Sequence, residues 1–282
     1  MGDNKLGRNL TSPRQVTTTT FLFKKQTVLM KKFGPEFLSS LSPKPHIIRY
    51  LLTYVALFLG SGIARVSVRG KYHLPKKGPY VIASNHFSDY DPLFFSYGIQ
   101  KPINFIAASD QELDWWLVWA PIIYGWIPVD RQNLSPSTIK RSLEVLRRGE
   151  LLGIIPDGGV SYNLLSQPKN GAVYLSTLGK APIVPIGIYG AERAWEGMFK
   201  GIRSRICINI GKPFGPFNIK GNKGQKVKAL NAVGNEMMCR IAALLPPGRQ
   251  GPFSESAEVF KYQKENLITP KPQPYFKALS EE

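Results

Sequence analysis

The sequence predicts an α/β protein: a mixed central sheet with helices on both faces, plus an N-terminal membrane-associated helix. Two observations carry the sheet. Short apolar runs (ARVSVR, YVIAS, INFIAA, WIPVD, LLGI, APIVPIGIYG, SRICINI) alternate with helical segments, the order expected of strands with helical connections. With 43% apolar residues over 282 positions, the chain can also bury a sizeable core. A third observation carries the membrane helix: Tyr50–Leu59 is apolar and flanked by Arg49 and Arg65. A spanning helix needs about 20 apolar residues, so this run is expected at an interface.

Taken in order, residues 1–45 read as a basic, mobile arm. They are rich in Thr and Ser, and Asp3 and Glu36 are their only acids. A transit peptide and a membrane-surface segment both fit this composition. The helix near residues 46–62 follows, with Tyr50 and Tyr54 suited to a headgroup boundary. ARVSVR and YVIAS are strands separated by the turn PKKGP, and DPLFFSYGI is a helix with Asp91 at its start and Pro92 in its first turn. After the strand INFIAA, residues 112–125 (ELDWWLVWAPIIYG) read as one helix, buried or facing lipid. WIPVD is a strand. SPSTIKRSLEVLRRG is a helix capped by Ser135, with Ile139, Leu143 and Leu146 on its apolar stripe and Gly149 as its stop. A strand ending at Asp157 follows, then a helix over NGAVYLSTLGK, two more strands, and an amphipathic helix at about 223–245. The segment after Pro246 reads as a polar, extended tail.

The net charge of +18 and pI of about 9.9 call for an anionic partner: nucleic acid, anionic lipid or a phosphorylated small molecule. No RNA-binding signature or zinc-finger spacing accompanies the charge, so nucleic acid is not expected. Cys207 and Cys239, the two cysteines, belong to no metal-ligating or disulfide pattern. No metal and no cofactor are expected.

His86 follows an apolar strand, at the sheet edge where α/β folds present their sites. A histidine there can act as a general base, and Asp91 at the next helix start can fold back to orient it. Asp89 competes for that contact. An aspartate cap beside a satisfied histidine is the plainer alternative. No nucleophile elbow is present and neither cysteine has a histidine near it in sequence. A base here would therefore act on a substrate hydroxyl. Arg131 follows the strand WIPV, and its planar fork suits a phosphate or carboxylate. Asp157, Gly158 and Gly159 end another strand, where glycines let the backbone approach an anion closely.

In this order, NHFSDYDP, GWIPVDR, IIPDGGVS with PKNGA, and APIVPIGIYG resemble the four blocks of the PlsC-like glycerolipid acyltransferases, the family of the lysophosphatidate (1-acylglycerol-3-phosphate) acyltransferases. The resemblance runs from about Val66 to Pro213. It implies a membrane-tethered α/β acyltransferase in which His86 is the base and Asp91 its partner. A lipid hydroxyl would attack an acyl thioester carried by coenzyme A or acyl carrier protein. Asn85, Arg131, Asp157, Gly158, Gly159, Ser161 and Lys169 would bind substrate, Arg131 and Lys169 attracting the anionic headgroup. The third block departs from the family's Pro-Glu-Gly-Thr-Arg-Ser: Asp157 replaces the glutamate, and Val160 stands where the family places a phosphate-gripping arginine.

The expected function is therefore phospholipid biosynthesis: O-acyl transfer to a lysophospholipid, foremost 1-acylglycerol 3-phosphate. Transfer to a lipid alcohol without phosphate, thioester hydrolysis, and non-catalytic binding to anionic membranes are the rivals. The expected partners are the acyl donor, the lysophospholipid and an anionic membrane surface, at a cytoplasmic face or organelle membrane. The expected division is an arm at 1–45, an acyltransferase domain at 46–245 and a tail at 246–282.

Overall fold

The computed structural model describes residues 32–33, 37, 40–42, 44–88, 91–109, 113–114, 119–130, 134–158, 164–192, 194, 197 and 200–271. Most of the expected N-terminal arm lies outside this set. Nine strands are present among the described residues: β1 (Lys32–Phe33), β2 (Ala64–Arg69), β3 (Tyr80–Ser84), β4 (Ile103–Ala108), β5 (Leu113–Asp114), β6 (Trp126–Val129), β7 (Leu151–Ile154), β8 (Ile183–Tyr189) and β9 (Ser204–Ile210). Seven of them form one sheet in the order β2-β9-β8-β3-β7-β4-β6. All neighbouring pairs are parallel except β8 and β9. The sheet is therefore mixed, as expected, and β8, β3, β7, β4 and β6 all end on one edge.

The helices are α1 (His46–Ile63), α2 (Asp91–Ile99), α3 (Trp119–Tyr124), α4 (Pro136–Arg147), α5 (Gly171–Gly179), α6 (Lys223–Ala242) and α7 (Ala257–Asn266). They cover both faces, because the central strands are apolar on both sides. In β3, Tyr80 and Ile82 pack with Phe94, Phe95 and Ile99 of α2. Val81 and Ala83 point the other way, into a core shared with Leu146 of α4, Leu175 of α5 and Met237 of α6. This is the period-2 alternation of a strand buried twice over.

Local chemistry sets the helix boundaries. Ser135 caps α4 by accepting the Thr138 amide at 3.2 Å. Asn222 and Gln225 form a reciprocal capping box at the start of α6, worth about 1 kcal/mol. The stripe that α4 buries is rotated from the expected one: Thr138 and Ser142 are fully buried while Ile139 and Leu143 are half-exposed. The Thr138 hydroxyl can be buried because it donates to the Pro128 carbonyl at 2.6 Å.

Two expectations are corrected. Residues 112–125 are not one helix. Leu113–Asp114 pairs antiparallel with Lys32–Phe33, and α3 begins only at Trp119. Pro121 gives the reason: it would interrupt the interior of a helix from 112 but is tolerated in the first turn of one from 119. Residues 247–266, within the expected tail, are also not extended. They make two short 3₁₀ turns, Pro247–Arg249 and Gly251–Phe253, followed by α7, which buries Val259 and Tyr262.

Helix α1 inverts the usual amphipathic arrangement. Arg49 and Thr53 face the protein and are 2% and 0% exposed, whereas Ile47 is 84% and Phe58 81% exposed. Leu51, Tyr54 and Val55 are exposed as well. Arg49 donates to Glu150 and to Asn104, each at 3.2 Å, and Asn104 donates to Glu150 at 2.9 Å. These contacts hold the start of α1 at the edge where β4 and β7 begin. Its other end leads directly into Ala64, which pairs with Ser204, so α1 runs the height of the sheet. Among the described residues, no helix is long and apolar enough to cross a membrane.

Candidate active site

The edge where the parallel strands end gathers most of the described chemistry. β3 stops at Ser84, and Asn85 and His86 follow. Asn85 is fully buried. Its amide donates to the Ile188 carbonyl at 2.7 Å, and its Oδ1 accepts the Ile188 amide at 2.8 Å. Asn85 thus clamps β3 to β8 through both of its amide atoms.

Next to this clamp, His86 Nδ1 lies 3.1 Å from Asp91 Oδ2. The same oxygen accepts the amides of Phe87 at 2.8 Å and Ser88 at 3.0 Å. Asp91 is fully buried. Burying a carboxylate is costly without compensation; here two amides, the ring and the start of α2 supply it. A carboxylate can only accept, so Nδ1 carries the proton toward Asp91 and Nε2 is left with its lone pair. One oxygen makes both contacts: Asp91 ties the turn and holds the His86 ring.

Asp157 lies just past β7, within electrostatic reach of His86. Burial raises its carboxyl from an ordinary 3.8 to about 7, against the opposing pull of the His86 ring and the amides of Asp157 and Ser166. It is therefore close to half-protonated at neutral pH. Gly158 has φ of +75°, the left-handed region open to glycine. A Cβ there would come within 2.7 Å of the Lys169 ammonium group, so the glycine is what lets Lys169 cross this turn. The Lys169 amide also donates to the Pro156 carbonyl at 2.9 Å. His86, Asp91, Asp157, Gly158 and Lys169 thus occupy one edge. Arg131, Gly159, Val160, Ser161 and Asp89 lie outside the described residues.

Sequence reasoning missed two residues here. Glu192 follows β8 and accepts the Gly190 amide at 2.9 Å. Arg249, from the first 3₁₀ turn after α6, pairs with Glu192 at 3.0 Å. Its guanidinium lies 5.0 Å from the centre of the Phe87 ring. Glu192 had a readable signal: like His86 and Asp157, it is a titratable residue just past an apolar strand. Arg249 had none, since its partner is 57 positions away and no periodicity marks it. Among the described residues no cluster of His, Cys, Asp and Glu could hold a metal ion.

A family model described as "Acyltransferase" matches residues 65–189. A 1-acyl-sn-glycerol-3-phosphate acyltransferase of Bacillus subtilis is 33% identical over 150 residues, 52% of this chain and 73% of the relative. The alpha form of 1-acyl-sn-glycerol-3-phosphate acyltransferase from Ovis aries is 30% identical over 220 residues, 73% of this chain and 71% of the relative. The crystal structure of a 1-acyl-sn-glycerophosphate acyltransferase, PlsC, from Thermotoga maritima superposes with a TM-score of 0.48 at 16% identity, over 72% of this chain and 86% of that one. That likeness is too slight to argue from.

Proposed function

The chain belongs to the PlsC-like glycerolipid acyltransferase family, and from that premise we propose that it acylates 1-acylglycerol 3-phosphate at a membrane surface, with His86 as general base. The observation that carries this reading is the buried Asp91 carboxylate holding His86 by Nδ1 at 3.1 Å, at the sheet edge where the parallel strands end.

In the proposed reaction, His86 Nε2 takes the proton of the acceptor hydroxyl as its oxygen attacks the thioester carbonyl. Asp91 stabilises the imidazolium that forms. The tetrahedral intermediate collapses, the carbon–sulfur bond breaks, and the leaving thiolate takes the proton back from His86. A new ester and a free thiol result. Asp157 borders the acceptor pocket, where its protonated form can donate to an acceptor oxygen. Lys169, on Gly158, supplies positive charge for the acceptor phosphate, a task that the family's arginine cannot perform where Val160 stands.

Membrane association is part of the proposal. The exposed stripe of Ile47, Leu51, Tyr54, Val55 and Phe58 suits a helix lying in the headgroup boundary, and the charge of +18 suits an anionic surface.

The test offers a labelled acyl thioester, on coenzyme A or on acyl carrier protein, to vesicles holding 1-acylglycerol 3-phosphate, lysophosphatidylcholine or monoacylglycerol. The phosphate monoester should be the preferred acceptor, and His86→Ala should abolish transfer. Free fatty acid as the sole product, or full activity in His86→Ala, overturns the reading.

A further inference from the structure

Among the described residues, the buried charges behind the His86–Asp91 pair do not balance locally. Asp91 Oδ2 is saturated by His86, Phe87 and Ser88, but its Oδ1 is buried and makes no hydrogen bond among the described residues. Glu192 is a second buried carboxylate close enough for its charge to be felt by Asp91. Two such anions side by side repel each other. Arg249 is the cation that acts on both: it pairs with Glu192 at 3.0 Å and lies over Phe87, whose amide donates to Asp91.

Its own placement is fixed. Leu165 donates its amide to the Arg249 carbonyl at 3.3 Å. The Gln250 side chain donates to the carbonyls of Ala242 and Leu245, each at 3.0 Å, tying the turn to the end of α6. Glu192 and Arg249 both lie beyond residues 65–189, where the family model matches.

We infer that Arg249, held by Glu192, is a positioning residue for the His86–Asp91 pair: its charge offsets the two carboxylates, and its packing on Phe87 holds the turn whose amides grip Asp91. This rests on His86 being the base. Arg249 touches no substrate in this scheme; it acts through Asp91.

The electrostatics give two opposite predictions for the acid limb of the kcat/KM–pH profile, which reports deprotonation of the base. Among the described residues, the charged and titratable groups near the pair are Asp157, Glu192, Arg249 and, across Gly158, Lys169. Removing the Arg249 cation favours the imidazolium, so Arg249→Met moves the limb to higher pH. Removing the Glu192 anion leaves Arg249 unbalanced, so Glu192→Gln moves it to lower pH. For Arg249→Met, kcat should fall about 10- to 100-fold, the range for residues that support a catalytic group from behind, with KM for both substrates changed by less than about threefold. Arg249→Lys should recover part of kcat.

The experiment records pH profiles of full-length Arg249→Met, Arg249→Lys and Glu192→Gln, with a thermal melt of each. Opposite displacements of the limb support the inference. Unmoved limbs, displacements of the same sign, or a kcat within twofold of the parent in Arg249→Met overturn it. If Arg249→Met does not fold, the downward displacement in Glu192→Gln decides. An active His86→Ala would instead defeat the base reading itself, so the two failures are distinguishable.

Discussion

The two ends of the sheet each bury one arginine–glutamate pair, matched in burial but not in behaviour. Arg49 and Glu150, where β4 and β7 begin, have side chains 3% and 17% exposed. Arg249 and Glu192, where β3 and β8 end, have side chains 4% and 15% exposed. Burial pushes the Glu150 carboxyl up, but hydrogen bonds from Asn104 and Arg49 and the charges of Arg148 and Arg49 bring it below its ordinary range. Burial also pushes Glu192 up, and there it wins over the pull of Arg249 and the nearby amides, with Asp91 adding a smaller like-charge push. The first pair is saturated and fastens a helix. The second is left electrically strained beside His86 and Asp91. Exposure alone does not reveal what a buried pair does; its neighbours do.

The largest expected effect falls at the end that holds His86, the proposed base. His86→Ala should lower the transfer rate about 10²- to 10⁴-fold with only a modest loss of melting temperature, since Asp91 loses the ring but keeps the Phe87 and Ser88 amides. Product formation beside a melt of the same preparation checks this.

The opposite end should show the reverse. Arg49→Met takes one donor from Glu150 and one from Asn104, which keep each other and Arg148 as partners, so the loss should be about 1–3 kcal/mol. Urea unfolding should show that loss, while kcat/KM of the remaining folded enzyme stays within about threefold of the parent.

Asp157 sharpens the comparison through pH. Its folded-state pKa is raised, so its contribution to stability is complete below about pH 4 and is lost as pH rises through about 7. Asp157→Asn should therefore be the more stable protein at pH 8, by on the order of 3 kcal/mol, with the gap closing toward pH 4. Urea unfolding at both pH values measures it; a gap that widens on acidification contradicts the assignment. The smallest effect is expected outside both ends. Phe58→Asp on α1 should weaken binding to anionic vesicles by about 1.5–3 kcal/mol and leave the melting temperature alone, because Phe58 is 81% exposed.

What the sequence disclosed follows from how local each signal is. His86 and Asp91 are five positions apart, and a strand end followed by a helix start is enough to bring them together. Asp157 and Lys169 could be read as residues bordering apolar strands and turns. The Asn85 clamp could not, because Ile188 is 103 positions away and an asparagine after a strand looks the same whether it meets substrate or backbone. The split of residues 112–125 turns on the pairing of Leu113–Asp114 with a two-residue strand some eighty positions earlier. Helix α7 was hidden by the many polar residues after Pro246. Its few buried residues form a narrow stripe that a composition-based reading passes over.

Helix α1 has a consequence for how the enzyme would count its substrate. It lies along the height of the sheet, with its apolar stripe outward and one end at the edge that holds His86. With that stripe seated in the headgroup layer as proposed, the acceptor arrives by lateral diffusion within a plane instead of from the surrounding solution. The quantity that governs turnover is then the number of acceptor molecules per unit area of bilayer. The cell would regulate such an enzyme by the makeup of the sheet of lipid beneath it, and the total amount of acceptor per litre would matter little.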